Sequence, residues 1–245
     1  MNGTHGSFLL AFAGRPIFMV ATIMIIFKVA LAIFRVKPAA AGRQSVKVTK
    51  EKSAENRAAL TKTAARMFRE RGIDGVGVAE ISKAAGLTHG ALYAQFPSKQ
   101  ALVAEALAHG LARSHADMTA PKPRGAPTLS DHLDLYLSLD HRDNLADGCA
   151  MAASASEIAR QDEAVSARFA EGFEQMVGAV QASLGATMLR ADDRARALTI
   201  GAAMIGGVAM ARATAKSRPD LSDEIMAAVR RVLGEVGGEG GESRN

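Results

Sequence analysis

The fold is decided by the stretch Gly86-Leu87-Thr88-His89-Gly90-Ala91-Leu92-Tyr93-Ala94-Gln95-Phe96-Pro97-Ser98-Lys99. Gly86 follows an apolar helical run and can adopt the positive φ that ends a helix, while the Thr88 hydroxyl can cap the next helix. Leu92 and Phe96 lie four residues apart and point one face inward, and Pro97 stops the helix. The pattern predicts two helices joined by a tight turn. The second is short, and its small, polar and aromatic outer surface suits the major groove of DNA.

Residues 56–102 resemble the N-terminal domain of TetR-family transcriptional regulators. The resemblance is carried by four segments: Ala64–Gly72, Val78–Ile81, Ala84–Tyr93 and Phe96–Leu102. It implies an all-α fold, with an N-terminal three-helix helix-turn-helix DNA-binding domain and a C-terminal helical ligand-binding and dimerisation domain. It also implies a homodimeric repressor that binds a palindromic operator in double-stranded DNA and is released by a small-molecule effector. No enzymatic activity is expected.

The resemblance assigns DNA contacts to residues of the recognition helix and its flanks: Lys50, Thr88, His89, Gly90, Tyr93, Gln95 and Lys99. Thr88 and the free N–H groups at the helix start can bond a phosphate, and Gly90 lets the backbone approach closely. Gln95 can read adenine, and Lys50 and Lys99 can contact phosphates.

Two of these residues keep an alternative explanation. Tyr93 can instead be a half-buried strut, that is, a side chain that only packs against the protein. His89 can be a surface residue that binds nothing. At two positions of the recognition helix this sequence departs from the family: relatives often have Lys or Arg where His89 stands and a larger DNA-contacting residue where Ala94 stands. These two departures leave the operator sequence unknown. Relatives also usually have Thr or Ser where Gly77 stands.

Composition narrows the class of protein. The chain has 245 residues, 48% of them hydrophobic, only 4% aromatic and none of them Trp, which favours helices over sheets. A net charge of +5 suits a polyanionic partner. The single cysteine, Cys149, excludes an intramolecular disulfide and fits a reducing, cytoplasmic compartment.

The first 45 residues depart from the family pattern. An uncharged run from Pro16 to Phe27 continues past Lys28 as far as Phe34, which approaches the length of a membrane span. Three interpretations compete: a mis-assigned translation start near Val46 or Val48, an inner-membrane anchor with the DNA-binding domain in the cytoplasm, and a signal peptide. We favour the first, because residues 47–57 read like the usual basic N-terminal arm of the family.

Periodicity and capping residues divide the remainder of the chain. We predict a DNA-binding domain over 46–100, a ligand-binding and dimerisation domain over 101–236, and a disordered tail over 237–245. The predicted helices span 54–71, 78–85, a short recognition helix after Thr88, 98–115, one that begins after Thr128, 149–160, 163–184, 192–216 and 221–233.

The last two helices are the expected dimer interface, over residues 191–216 and 221–233. The first of them is apolar almost all round, so it should be buried on more than one side. A membrane span is the alternative, but Arg194, Arg196 and Arg212 bracket the apolar stretch.

An effector pocket is expected inside the C-terminal helices. Its candidate lining residues are Leu107, Leu111, Met118, Tyr136, Met151, Ile158, Phe169, Phe173 and Met176, each of which can equally be ordinary core. Cys149 opens a helix and is either a redox-sensing thiol or a small buried hydrophobe. The spacing of His132, His141 and Cys149 matches no metal-binding pattern, so neither a metal nor a cofactor is expected.

Overall fold

The computed structural model describes residues 49–184 and 192–238. Within these ranges the regular secondary structure is α-helical, and an isolated backbone bridge joins Lys122 and Gly125, so the all-α prediction is confirmed. The apolar run 16–34, Lys47 and residues 239–245 lie outside the described residues, and the interpretations of the N-terminus remain predictions. The helices of the described ranges are α1 (Lys50–Arg71), α2 (Val78–Ala84), α3 (His89–Tyr93), α4 (Lys99–Thr119), α5 (Leu129–Tyr136), α6 (Leu139–Asp143), α7 (Ala150–Ile158), α8 (Glu163–Ser183), α9 (Asp193–Thr214) and α10 (Pro219–Gly237).

Local capping signals place the helix-turn-helix. Gly86 has φ +71°, its N–H donates to Lys83 O at 3.1 Å, and the N–H of Leu87 donates to Ser82 O at 2.9 Å. These paired bonds satisfy the last carbonyls of α2 and turn the chain into α3, where Thr88 Oγ1 accepts the Ala91 N–H at 3.2 Å. The residues around which this turn packs are fully buried: Leu60, Ile81, Leu92, Phe96 and Leu102.

Several helix boundaries differ from the predictions. Helix α1 begins at Lys50 rather than Ala54, because Thr49 caps it and accepts the Lys52 N–H at 3.2 Å. Lys50 and Lys52, which were expected ahead of the helix, therefore lie in its first turn. Helix α4 continues to Thr119, four residues beyond the predicted end, and α10 continues through Gly237, which was assigned to the tail. Helix α7 is shorter than predicted and ends at Ile158.

Helix α6 was not predicted at all. It is a single short turn of helix that buries no residue of its own, so the sequence carries no apolar periodicity there. Ser138 begins it, since its hydroxyl accepts the His141 N–H at 3.1 Å.

The C-terminal helices pack through close contacts at glycine. Helix α4 lies against α8, and α9 lies against both α8 and α10. A Cβ at Gly172 would lie 2.5 Å from Leu111 Cδ1, and one at Gly207 would lie 3.2 Å from Val229. Glycine at these positions therefore lets the α4–α8 and α9–α10 pairs approach.

Helix α9 is the one helix of the described ranges that is long and apolar enough to cross a membrane, judged by length and composition alone. About 44% of its most apolar window is buried within the protein. Its side chains at Ile200, Met204 and Val208 are fully buried, so core packing accounts for its apolar character.

Polar contacts join α1 to the C-terminal helices. The N–H of Ile73, in the loop after α1, donates to Glu157 Oε2 on α7 at 3.0 Å. The buried side chain of Arg69 donates from Nε to Ala146 O at 2.8 Å. Burial is the main reason that the pKa of Arg69 lies below its ordinary value. The orientation of the first three helices is therefore tied to α7 and to the loop before it.

Candidate nucleic-acid interface

Helix α3 presents one buried and one exposed face. Leu92 points into the core, whereas Thr88, His89, Gly90 and Tyr93 are exposed. We call these four exposed residues the reading surface. Tyr93 is 48% exposed, and the choice between a DNA-contacting residue and a half-buried strut stays a prediction.

The side chains of the reading surface are partly pre-arranged. His89 and Tyr93 lie one helical turn apart and pack edge to face, with ring centroids 5.0 Å apart and planes at 78°. The oxygen of Thr88 is occupied as an acceptor by the helix cap, which leaves its O–H free to donate. A Cβ at Gly90 would meet nothing within 4 Å, so the space above the backbone is open to an approaching group.

An arginine clamp holds α3 against α1 and α4. Arg57 Nε donates to Glu105 Oε1 at 3.0 Å, and Arg57 Nη1 donates to Gln95 O at 2.5 Å. The guanidinium also lies 4.3 Å from the centroid of the Phe96 ring, and Thr61 Oγ1 donates to Glu105 Oε1 at 3.0 Å. Sequence analysis missed Arg57 and Glu105, because residues 48 positions apart give no local sign that they pair.

Two candidate DNA-contacting residues bond within the protein. Gln95 Nε2 donates to Ser53 Oγ at 2.9 Å, and Lys99 Nζ donates to Ile73 O at 2.7 Å. Both side chains are half-buried beside the reading surface. Contact with DNA would require each of them to exchange its present partner.

Lys50 differs from the neighbouring lysine of the basic arm. It is exposed in the first turn of α1 and has no hydrogen-bond or ion-pair partner among residues 49–184 and 192–238. Lys52 instead pairs with Glu55 at 3.0 Å, an exposed interaction that contributes little to stability. Of these two cations, Lys50 is the one available to a partner molecule.

The candidate effector residues separate into three groups. Leu111, Met118, Tyr136, Met151 and Met176 line one void of about 20 Å³, together with Cys149 and His115. Leu107 lines a second void of about 20 Å³, which lies between α1, α4 and α7. Ile158 is buried, whereas Phe169 and Phe173 are half-buried and line neither void.

Cys149 lies in the wall of the first of these voids. It is only 2% exposed, and the Tyr136 hydroxyl donates to its sulfur at 2.7 Å. Burial, followed by the effect of Cys149, raises the pKa of Tyr136 well above its ordinary value. Over the described ranges no group of His, Cys, Asp and Glu side chains has the arrangement of a metal site.

Two family models match the chain. The model for bacterial regulatory proteins of the tetR family matches residues 60–106, and the model for the C-terminal domain of LmrA/YxaF-like transcriptional regulators matches residues 128–221. The transcriptional regulator TtgR of Pseudomonas putida is 40% identical over 70 residues, which are 29% of this chain and 33% of TtgR. The chain therefore matches about a third of the length of this curated relative.

Solved structures share the fold over a longer range. The reduced form of NemR from E. coli has a TM-score of 0.62 at 19% identity, with 74% of this chain and 96% of NemR covered. A TetR-family regulator from Cytophaga hutchinsonii has a TM-score of 0.60 at 22% identity, with 75% and 96% covered. Members of this family are regulators of transcription rather than enzymes. By its two matched domains and its helix-turn-helix, the chain belongs to the TetR family of bacterial regulatory proteins.

Proposed function

We propose that this chain is a cytoplasmic transcriptional repressor that binds a palindromic operator as a homodimer and is released by a small-molecule effector. The observation that carries the proposal is the reading surface, a capped three-helix arrangement with polar and aromatic side chains exposed on one face of α3. The alternative of a membrane-tethered regulator depends on residues 16–34, and no described residue favours it.

The reading surface supports direct base recognition flanked by phosphate contacts. His89 and Tyr93 stand at the centre of the exposed face, while Lys50 and Lys99 lie beside it on α1 and α4. Central side chains can reach base edges in the major groove, and flanking lysines add affinity that depends on salt but not on sequence. The clamp at Arg57 fixes the angle at which α3 is presented.

The outer faces of α9 and α10 support dimerisation. Met210 on α9 and Val232 and Val236 on α10 are large apolar side chains that remain exposed. Ala202 and Ala228 are small and also exposed, so a second helix pair can approach these surfaces closely. Two recognition helices about 34 Å apart would then read a palindrome.

The voids of the C-terminal helices support effector binding. The void beside Tyr136 has room for about one water molecule, so a larger ligand would have to displace its walls. Three of the residues that line this void are methionines, whose flexible side chains repack readily: Met118, Met151 and Met176. The Tyr136 hydroxyl and His115 would supply the polar contacts. His115 Nδ1 is buried and has no hydrogen-bond partner within residues 49–184 and 192–238.

Helix α4 would transmit effector binding to the reading surface. Leu111 lines the void beside Tyr136, and Leu107, one turn earlier, lines the void next to α1. Glu105, which precedes Leu107 by about half a turn, belongs to the clamp that holds α3. A shift of α4 caused by a ligand at Leu111 would therefore change the clamp.

Fluorescence anisotropy with the full chain tests the proposal. Labelled DNA from upstream of the protein's own gene is compared with a scrambled duplex at two salt concentrations. We expect selective binding with two chains per duplex. Tyr93→Ala should remove the selectivity, whereas Leu139→Ala, an equally exposed apolar residue on α6, should not. Equal affinity of the wild-type chain for operator and scrambled duplexes across the upstream region would contradict the proposal.

A further inference from the structure

A basic groove lies between α1 and α4, and no residue of the reading surface lines it. It has a volume of about 500 Å³, and four cationic side chains line it: Lys62, Arg66 and Arg69 of α1 and Arg113 of α4. Ala84, at the end of α2, closes one end of it. None of the residues Thr88 to Lys99 contributes to its lining. We call it the α1–α4 groove.

The positive charges of this groove are incompletely neutralised within the protein. Asp147 provides the one carboxylate in its lining, and this carboxylate pairs with two guanidinium groups. Asp147 Oδ1 lies 2.8 Å from Arg113 Nη1 and 4.0 Å from Arg69 Nη2. Arg66 has Glu70 one turn further on at 3.3 Å, and Lys62 has no partner among the described residues. The surplus positive charge is therefore a property of the folded groove.

Arg69 lies at the floor of the groove. Its side chain is 8% exposed, and its Nε and Nη2 atoms both donate to Ala146 O. Its Nη1 atom has no hydrogen-bond partner within the described ranges. A Cβ at Gly110 would lie 3.1 Å from Nη1, so glycine at this position lets the Arg69 guanidinium approach α4 closely. After burial, the charge of Arg113 is the next largest influence that lowers the pKa of Arg69. A bound anion would relieve this repulsion.

We propose that the α1–α4 groove binds a small organic molecule that carries a phosphate group or several carboxylates. The unpartnered Nη1 of Arg69, together with the planar fork of Arg113 once Asp147 is displaced, suits the oxygens of such groups. Lys62 and Arg66 add charge at the rim. Apolar atoms of Met67 and Ala84 also line the groove and can contact the carbon skeleton. The volume is that of a pocket for a small molecule.

Binding there would act on the joint between the reading surface and the C-terminal helices. The anion would replace Asp147 as the partner of Arg113, and Asp147 lies in the loop that leads into α7. The site is separate from the void beside Tyr136, and the proposal does not depend on DNA binding. It predicts a second class of ligand for the same chain.

Isothermal titration calorimetry of the full chain tests this site. The probes are inorganic pyrophosphate and citrate, each at an ionic strength held constant with sodium chloride. We expect saturable binding of one anion per chain, and the stronger of the two probes identifies the preferred oxygen group. The double variant Lys62→Gln/Arg66→Gln should bind about tenfold more weakly or worse, since it removes two of the four cations.

The double variant was chosen so that misfolding does not explain weaker binding. Both side chains are exposed, and the substitutions break a single ion pair, the exposed one between Arg66 and Glu70. The matched control is Lys122→Gln/Arg168→Gln, which removes the same charge outside the groove and should bind within twofold of the wild type. Absence of saturable binding, an unchanged affinity in the first variant, or an equal reduction in the control would each overturn the proposal.

Discussion

The first three helices and the C-terminal helices of this chain are stabilised in different ways. In α1–α3, a small apolar core around Leu92 is surrounded by satisfied polar contacts, above all the clamp at Arg57. The C-terminal part has the larger share of the buried apolar residues. The void beside Tyr136 lies within it, whereas the second void lies between α1, α4 and α7. Within the described ranges, the buried side-chain polar atoms that have no hydrogen-bond partner all belong to the helices from α4 onward and their loops: Gln100 Oε1, His115 Nδ1, His141 Nε2 and Arg212 Nη1.

The difference assigns separate tasks to the two regions. A region whose fully buried side-chain polar atoms all have hydrogen-bond partners has one preferred arrangement, which suits the presentation of a fixed surface. A part that retains voids and unpaired buried donors or acceptors can gain contacts by rearranging. The reading surface is thus the fixed component, and the C-terminal helices are the adjustable one.

Matched truncations should produce the largest effect and can break this comparison. Leu92→Ala in α3 and Leu133→Ala in α5 each remove a fully buried side chain, so each should cost about 2–5 kcal/mol in urea unfolding. Native-state hydrogen exchange should distinguish them. Leu92→Ala should lower the protection of α1–α3 amides while leaving α9 protected, because the truncated side chain belongs to the smaller core.

Leu133→Ala should instead lower the protection of α9 and α10, because α5 packs against both of them. If Leu92→Ala lowered the protection of α9 as much as that of α2 and α3, the two regions would unfold as one cooperative unit. The contrast between a fixed and an adjustable region would then be wrong.

Acid should destabilise the C-terminal region more than the first three helices. Burial, followed by the charge of Arg212, lowers the pKa of His141 from 6.5 to about 4. Between these two values the unfolded chain binds more protons at this site than the folded chain, so stability falls as the pH falls from about 6.5 to about 4. The loss should reach up to about 3 kcal/mol.

His141→Phe should flatten the acid dependence of stability. The ring of His141 lies 4.7 Å from that of Tyr136, and its Nε2 has no partner to lose, so phenylalanine preserves most of the packing. Urea unfolding from pH 7 to pH 4 measures the effect. His132, whose pKa burial also lowers, should account for part of the remaining slope. An identical slope in the wild type and in His141→Phe would show that His141 does not carry the effect.

The smallest predicted effect concerns the cap of α3 and sharpens the description of the fixed region. Thr88→Ala should cost about 1 kcal/mol, because the Ala91 N–H would lose its side-chain acceptor. Thr88→Ser should retain most of that stability, since a serine hydroxyl can also cap. Chemical denaturation measures both variants. If the serine variant were as unstable as the alanine variant, the cap would not be the source of the effect.

The parts of the fold that sequence analysis predicted are those with local signals. Thr88 was recognised as a cap and a helix was expected to begin after Thr128. Both residues cap a helix, and such local signals can be recognised because a cap acts on residues only three positions away. The start of α1 was misplaced because the cap at Thr49 was not recognised. Helix α6 was missed because it has no apolar face to recognise.

Long-range features of the candidate sites could not be predicted in the same way. The helical periodicity correctly predicted that Tyr136 and Met176 face the core. It does not show which of the core-facing residues surround a void, so Phe169 and Phe173 were grouped with them. The clamp between Arg57 and Glu105 joins residues from separate helices. The convergence of Lys62 and Arg66 with Arg113 likewise depends on how α4 packs beside α1.

The loop after α1 has a consequence for how this sequence can change over evolution. Gly72 has φ +79° and ψ 161°, a conformation that residues with a side chain rarely adopt, and a Cβ there would lie 2.5 Å from Glu157 Oε1. The same carboxylate accepts the Ile73 N–H. A side chain at 72 would therefore be strained whatever residue stands at 157, because the backbone conformation itself disfavours it. Among close homologues, position 72 should accordingly remain glycine, even where position 157 is replaced.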